Sequence, residues 1–250
     1  MNKSVVFCLA AFATLQVSQA VKADTLAGWT FESSGLGSTT PSFLPGANTA
    51  TTNFYAESGA QAGTAYAFGL HAGAATYTSP AGNGSAKSLS SQTWAVGDYY
   101  EFALSTTGFE NITLSYDQIS SASGPGQFVL QYSLDGSSFT TFGSQYNVLV
   151  NASPNTWSAA TANPSSTFSY DLSSITALDN ASSVYFRIYD NTGSSASQAN
   201  GGTTALAAAG TDRVDNFVVV GTATTVPEPS AIALSAVGGF ACLYMLRRKR

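Results

Sequence analysis

The sequence predicts an all-β fold, and three observations lead to that prediction. No long stretch between Asp24 and Thr225 has helical periodicity. Apolar and polar residues instead alternate in several short segments, and turn-forming residues interrupt the chain roughly every ten residues. An antiparallel β-sandwich accounts for all three, because each strand buries one side and the chain turns back after a short run.

The strands can be placed from this alternation. The predicted strands are Leu26–Phe31, Ala65–Leu70, Tyr99–Leu104, Ile112–Tyr116, Phe128–Leu134, Tyr146–Val150, Thr167–Tyr170, Val184–Tyr189 and Arg213–Val220. Asp135-Gly136 predicts a hairpin turn, because glycine adopts positive φ without strain. Segments 35–53 and 191–210 are rich in small and polar residues and are predicted to be long loops. About ten strands without crossover helices indicate one jelly-roll-like sandwich over residues 24–225.

Composition excludes several classes of function. Only 9% of the 250 residues are charged, and between Asp24 and Asp215 thirteen acids face three cations, a net charge of −10. Such a body lacks the basic patch that nucleic-acid binding requires, so we expect none. Cys8 and Cys242 both lie in apolar terminal segments. If those segments are removed, the mature protein has no thiolate for a disulfide, a zinc site or a nucleophile.

Residues 1–23 have the features of a signal peptide. Lys3 provides the positive start, and the stretch from Val5 to Val17 is mostly apolar. Small residues favour cleavage after Ala23, with cleavage after Ala20 as the alternative. The other interpretation is an N-terminal core helix. The apolar stretch is short for a membrane anchor.

Residues 226–250 consist of three parts in order. The first part is Val226, Pro227, Glu228 and Pro229, where two prolines predict an extended, accessible segment. The second is the apolar run 230–246, predicted to be a single transmembrane helix of about 26 Å. The third is the basic end Arg247, Arg248, Lys249 and Arg250, which predicts a cytoplasmic C-terminus.

These three parts together resemble the PEP-CTERM sorting signal of Gram-negative bacteria. The resemblance covers residues 226–250, a tenth of the chain. It implies recognition by an exosortase-type processing enzyme, transient anchoring in the inner membrane, and delivery to the cell surface or a polysaccharide-rich extracellular matrix. A plain single-pass anchor is the alternative, and the body is exported in either case.

Two stretches of the body also resemble jelly-roll domains of exported adhesive and carbohydrate-associated proteins. One is residues 112–142, which contain the Asp135-Gly136 turn, and the other is residues 211–219, where Arg213-Val214-Asp215-Asn216 opens the last strand. The resemblance implies a sandwich fold. Unrelated sandwiches converge on such turns, so it does not specify an activity.

The sequence shows no catalytic constellation. His71 is the only histidine, so a Ser-His-Asp triad would depend on it alone, and no Gly-x-Ser-x-Gly pattern lies nearby. We therefore expect a structural or exposed histidine. The glutamates that could serve glycoside hydrolysis form no recognisable motif, and we expect them to be solvated. They are Glu32, Glu57, Glu101 and Glu110.

One weak metal site is predicted, without any other cofactor. Asp212, Asp215 and Asn216 offer the clustered oxygen atoms that calcium prefers. No Asp-x-Asp-x-Asp loop supports them. The alternative is that Arg213 pairs with Asp215 along the strand, or with a neighbouring strand.

Three functions therefore remain open. The leading hypothesis is an exported, non-enzymatic structural or adhesive protein associated with extracellular polysaccharide. The second is a carbohydrate-binding module, which requires a sheet face with two or three exposed aromatic rings that stack on sugars. The third is a polysaccharide hydrolase or lyase, which requires two carboxylates in one cleft.

Overall fold

The computed structural model describes residues 23–33, 42–43 and 54–224. Within them lie thirteen strands. These are β1 Ala23–Trp29, β2 Ser42–Phe43, β3 Phe54–Tyr55, β4 Tyr66–Leu70, β5 Ala75–Thr78, β6 Leu89–Gln92, β7 Tyr99–Leu104, β8 Phe109–Ser120, β9 Gln127–Ser133, β10 Thr140–Asn147, β11 Thr167–Asp171, β12 Val184–Asp190 and β13 Thr211–Ala223. The helical segments are α1, Ala196–Ala199, and the 3₁₀ turns Pro164–Ser166 and Thr176–Leu178.

The strands form two antiparallel sheets. Sheet 1 has the order β11-β8-β13-β6-β5-β2, with β1 also paired to β13, and sheet 2 has the order β10-β9-β12-β7-β4-β3. From β6 to β13, each strand lies in the opposite sheet from the one before it, except at the β9–β10 hairpin. The all-β prediction is therefore confirmed, as a β-sandwich.

The hydrophobic core lies between the sheets and is rich in aromatic rings. Phe217 of sheet 1 stacks on Phe102 of sheet 2 with ring centroids 3.5 Å apart, and Trp29 meets both rings edge-on. All three side chains are fully buried. Strand β13 and the first part of β8, up to Tyr116, bury mostly alternate residues, as expected for a period of two, whereas β8 is buried on both sides from Tyr116 to Ser120.

Most predicted strands appear with shifted ends, but the prediction at Tyr146–Val150 is wrong in position. The strand there is β10, which begins at Thr140 and ends at Asn147. Asp135-Gly136 does form the predicted turn, with φ +71° at Gly136. The predicted loop 191–210 contains α1, which begins with a capping box made by Ser195 and Gln198.

Strands β5 and β6 were not predicted. Strand β5, Ala75–Thr78, alternates over only four residues, and β6, Leu89–Gln92, consists mostly of small polar residues and lacks apolar alternation. The helices of the described ranges have only three or four residues, and none could cross a bilayer. The predicted signal segment before Ala23, the alternative cleavage site Ala20, and the tail 226–250 lie outside the described residues.

Candidate functional site

The outer face of sheet 2 carries an unusual set of aromatic side chains. Cross-strand register arranges this face in three rows. The rows are Tyr55, Tyr66, Ala103, Tyr185 and Ser133; then Phe68, Glu101, Arg187, Gln131 and Thr141; then Leu70, Tyr99, Tyr189 and Val129. Tyr55 is 44% exposed, and Tyr66, Tyr185 and Tyr189 are half-buried. We call the outer face of sheet 2 formed by these three rows the aromatic face.

An ion pair occupies the centre of the aromatic face. Arg187 Nε donates to Glu101 Oε2 at 2.7 Å, and its guanidinium also donates to the Tyr99 hydroxyl at 2.9 Å. The guanidinium carbon lies 3.8 Å from the ring centre of Tyr99 and 3.4 Å from that of Phe139. Burial raises the pKa of Glu101, and the hydrogen bond and charge of Arg187 partly oppose that rise. The opposite charges of Arg187 and Glu101 therefore cancel at the centre of the aromatic face.

A cleft of about 180 Å³ opens at the first row. Tyr66 and Tyr185 flank it on β4 and β12, and Ala103 of the intervening strand β7 lies between them. Thr64, Ser105, Ser182 and Ser183 complete the lining together with Gln61, Ala65 and Leu104. The lining contains no side chain that is charged at neutral pH. We call this the Tyr66–Tyr185 cleft.

His71 lies in the interior, where its contacts have the connectivity of a catalytic triad. Its Nδ1 is 3.0 Å from Asp98 Oδ2, and its Nε2 is 3.1 Å from Ser91 Oγ. All three residues are at most 2% exposed. Ser91 Oγ also forms a hydrogen bond of 2.7 Å with the Tyr100 hydroxyl. A nucleophile must be accessible to its substrate, so the described structure supports the structural interpretation of His71.

The same hydrogen-bond network continues across the sandwich to Asp212. Tyr100 of sheet 2 donates to the carbonyl of Asp212 in sheet 1 at 3.1 Å. The Asp212 carboxylate accepts from Ser120 Oγ at 2.8 Å and Gln118 Nε2 at 3.1 Å. Burial raises the pKa of Asp212 well above its ordinary value, although both hydrogen bonds oppose the rise. The network ties the two sheets together with polar groups.

The three calcium candidates are not brought to one point. Asp212 is directed towards the interior, whereas Asp215 lies on the opposite side of β13, under the β5–β6 loop. The Asp215 carboxylate accepts from Asn83 N, Ser85 Oγ and Asn216 N at 2.6–2.8 Å. In the described ranges, no three acidic, histidine or cysteine residues form a group that could hold a metal.

Asp215 and Asn216 therefore have a visible structural role, which is to hold that loop against β13. Burial raises the pKa of Asp215 to about 7, and the nearby Asp117 contributes to the rise. Asn216, at φ +50°, donates to Asp117 Oδ2 at 2.8 Å. The ion pairs found in the described residues do not include the alternative pairing of Arg213 with Asp215.

Of the four glutamates predicted to be solvated, Glu32 is exposed and Glu57 and Glu110 are partly exposed, whereas Glu101 is buried. Glu57 accepts hydrogen bonds from the backbone and hydroxyl groups of Thr30 and Ser33, and Glu32 accepts from Lys87 N at 2.8 Å. Burial raises the pKa of Glu57, but these hydrogen bonds outweigh it and the net shift is downward. Glu101 forms the ion pair with Arg187. Glu110, on β8, lies opposite Thr222 of β13. Glu57 and Glu32 thus hold nearby backbone N–H groups in place, and Glu101 holds the guanidinium of Arg187.

Of the export and sorting residues, only Ala23 is described. It is the first residue of β1 and pairs with Thr222 of β13. The motif Val226, Pro227, Glu228 and Pro229 and the basic end Arg247 to Arg250 remain predictions from the sequence.

Sequence reasoning missed the Tyr66–Tyr185 cleft. Alternation within β12 separates Tyr185, Arg187 and Tyr189 from the core residues, and that signal was available. Which residues of β4 and β7 lie beside these side chains depends on strand order and register. Arg187 and Glu101, for example, are more than 80 residues apart in the sequence. A single sequence does not contain that information.

No protein-family model matches the chain, and no curated protein matches it. Among solved structures, the K2 cleaved adhesin domain of Lys-gingipain is 12% identical over 58% of this chain and 80% of its own, with a TM-score of 0.34. The K1 cleaved adhesin domain from Porphyromonas gingivalis W83 is 12% identical over 60% and 84%, with a TM-score of 0.35. A structure of carbohydrate-binding modules from the β-sandwich superfamily is 11% identical over 76% and 60%, with a TM-score of 0.36. These similarities are too distant to assign a function to this chain.

Proposed function

We propose that this protein is an exported, non-catalytic β-sandwich that associates with extracellular polysaccharide through the aromatic face, as an adhesive or structural component. The alternation of strands between sheets from β6 to β13 supports a jelly-roll type of sandwich. The role needs no catalytic residue and no cofactor. A calcium ion near Asp215 and Asn216 would add to the stability of the β5–β6 loop and is not required for binding.

The observation that carries the proposal is a set of partly exposed tyrosines, Tyr55, Tyr66, Tyr185 and Tyr189, on the outer side of sheet 2, supported from beside by the buried rings of Phe68 and Tyr99. The outer side of an antiparallel sheet is ordinarily polar. Here Tyr66 and Phe68 stack with centroids 6.4 Å apart, and Phe68 meets Tyr99 edge-on. Aromatic rings with a polar tip suit ligands that have both apolar C–H faces and hydroxyl groups, as sugars do. The paired charges of Glu101 and Arg187 leave the face without a net charge of its own.

A carbohydrate-binding module that attaches the cell to polysaccharide is the close alternative, and the same face would serve it. A hydrolase or lyase receives less support. The buried Ser91 and His71 are shielded from a polymer, and the carboxylates with raised pKa values, such as Asp190 and Asp212, are fully buried.

Binding by the full-length chain, purified in mild detergent, can be tested on a glycan array with and without calcium. We expect retention on polysaccharide that persists without calcium. Replacing Tyr55, Tyr66 and Tyr185 by serine should abolish it. The matched control replaces Thr113, Ser169 and Val220 on the outer side of sheet 1 by alanine, and binding should survive. No binding to any glycan, or equal loss in both variants, would contradict the proposal.

Export and sorting form a separate part of the proposal, based on the terminal segments. The signal segment 1–23 would direct export, and an exosortase-type enzyme would process the tail 226–250 after transient membrane anchoring. The protein would then reach the envelope or matrix of a Gram-negative-type cell. Changing Pro227, Glu228 and Pro229 to alanine should leave an unprocessed precursor on an immunoblot. Normal processing of that variant would refute the sorting assignment.

A further inference from the structure

The Tyr66–Tyr185 cleft has a geometry that the rest of the aromatic face lacks. Two half-buried tyrosines lie on strands separated by one other strand, and the residue between them is the small Ala103. We propose that this cleft is the subsite in which one neutral pyranose unit of a polysaccharide lies between the two tyrosine side chains. The inference rests on the proposed function and specifies where on the face the ligand binds and of what class it is.

The spacing suits one sugar ring. Adjacent strands are about 4.8 Å apart, so the backbones bearing Tyr66 and Tyr185 are separated by about 10 Å. Van der Waals contact needs about 3.5–4 Å between carbon atoms on each side, so a ring in contact with both tyrosines requires about 7–8 Å. Ala103 lines the cleft between them and is 5% exposed, so a long side chain at position 103 would occupy part of the cleft.

Both tyrosines are held in place by neighbours. Tyr66 stacks on Phe68 with an angle of 22° between the ring planes. Tyr185 packs against the turn at Gly136, where an added Cβ would lie only 3.2 Å from Cζ of the tyrosine ring. Less conformational freedom is therefore lost when a ligand orders these side chains, which favours affinity.

The polar side of the cleft is fixed as well. Gln61 accepts a hydrogen bond from Ser105 N at 2.9 Å and donates to the carbonyl of the same residue. This fixes the position of Ser105, which lines the cleft together with Ser182 and Ser183. Hydroxyl groups around an apolar base are the combination that orients a sugar by its own hydroxyls.

The charges in and around the cleft favour a neutral ligand. The lining offers no cation to balance a uronate, sulfate or phosphate group, and the nearby Arg187 is already paired with Glu101 at 2.7 Å. The body of the protein, with thirteen acids against three cations between Asp24 and Asp215, would repel an acidic polymer.

Isothermal titration of the full-length chain with hexasaccharides tests this inference. The probes are β-1,4-linked glucose, mannose and xylose as neutral chains, and α-1,4-linked galacturonic acid as the acidic chain. We expect at least one neutral chain to bind and the acidic chain to bind more weakly. Tyr66→Ala and Tyr185→Ala should each raise Kd about tenfold or more, because each removes one stacking partner. Ala103→Leu should weaken binding similarly without removing any ring.

The matched control is Val96→Ala, which shortens a side chain that is 56% exposed and lies away from the cleft. It should leave Kd unchanged, and near-ultraviolet circular dichroism should show intact packing in every variant. If a neutral chain binds but only Tyr189→Ala weakens it, the ligand lies at the third row, and the inference is wrong while the proposed function stands. Preference for galacturonate would overturn the neutral assignment. If none of the four probes binds although the glycan array retains the protein, the inference fails and the proposed function stands, whereas silence on the array as well refutes the polysaccharide-binding role.

Discussion

The interior of the sandwich and the aromatic face use the same residue types in opposite ways. Inside, Phe217, Phe102 and Trp29 are fully buried and contact one another across the two sheets. On the aromatic face, Tyr66 and Tyr185 keep part of their surface in water, and a small alanine separates them. The interior rings have no surface left for a ligand, whereas the outer tyrosines keep part of their surface exposed.

This difference indicates that the two sets serve different ends. A ring that is packed on all sides stabilises the fold, because all its apolar area is removed from water. A ring that is held at one edge contributes less to stability and retains area with which to bind. Phe, Tyr and Trp together account for 30 of the 250 residues. For a residue in a strand, the side of the sheet on which it lies decides which set it joins.

The largest effect should come from the interior set. Phe217→Ala removes a fully buried ring that contacts Phe102, Trp29 and Tyr116. We expect the free energy of unfolding to fall by about 3–5 kcal/mol, through lost burial and the cavity left behind. Urea titration measures this. Tyr185→Ala is the matched variant on the aromatic face and should cost no more than about 1 kcal/mol. Equal losses would mean that the outer rings are as important to the fold as the inner ones.

The second effect concerns the carboxylates of the interior. Burial, together with the charge of Asp98, raises the pKa of Asp190 to about 8, although a hydrogen bond from the Thr192 backbone opposes the rise. The Asp190 side chain is fully buried, and its Oδ2 has no hydrogen-bond partner among the described residues. The charge of Asp190 also contributes to the raised pKa of Asp212, and Asp98 in turn lies 3.0 Å from His71 Nδ1.

For such an acid, the folded state binds the proton more tightly than the unfolded chain, whose aspartate has a pKa near 4. Stability is therefore highest below about pH 4 for this group and decreases as the pH rises towards 8. Between pH 5 and pH 8 we expect the free energy of unfolding to fall by an amount on the order of 2–3 kcal/mol. Thermal unfolding at a series of pH values measures this fall. Asp190→Asn should reduce that slope. Asp135→Asn, at an exposed turn where backbone hydrogen bonds from Ser138 and Ser137 lower the pKa to about 2, should leave the slope in place. An unchanged slope in Asp190→Asn would contradict the assignment.

The sequence predicted those parts of the molecule that depend on local pattern. Strand β12 shows apolar–polar alternation, β7 and β9 are rich in bulky apolar residues, and the Asp135-Gly136 turn follows from glycine at positive φ. Strand β6, with the sequence Leu-Ser-Ser-Gln, has little side-chain pattern of its own and is formed by pairing with β5 and β13. Its position is decided by tertiary structure.

The candidate site was less predictable for the same physical reason. The sequence indicates that Tyr185 and Arg187 lie on one side of a strand, but which residues lie beside them is decided by register with β7 and β9. The contact of His71 with Asp98 and Ser91 likewise joins separate segments. The hypothesis of an exposed aromatic face could be stated from composition, but not its members.

The smallest of these effects concerns the ion pair at the centre of the aromatic face. Arg187→Met removes the partner of Glu101. The Glu101 side chain is only 4% exposed, and burial already raises its pKa. We expect the free energy of unfolding at pH 7 to fall by about 1–2 kcal/mol, since a carboxylate is left buried and unpaired at a partly hydrated site. The double variant Arg187→Met with Glu101→Leu should recover part of this loss, because it removes the unpaired charge as well. The loss in the single variant should also shrink at lower pH, where Glu101 takes up a proton. If the double variant is less stable than the single one in urea titration, the pair contributes through packing against Tyr99 and Phe139 more than through charge.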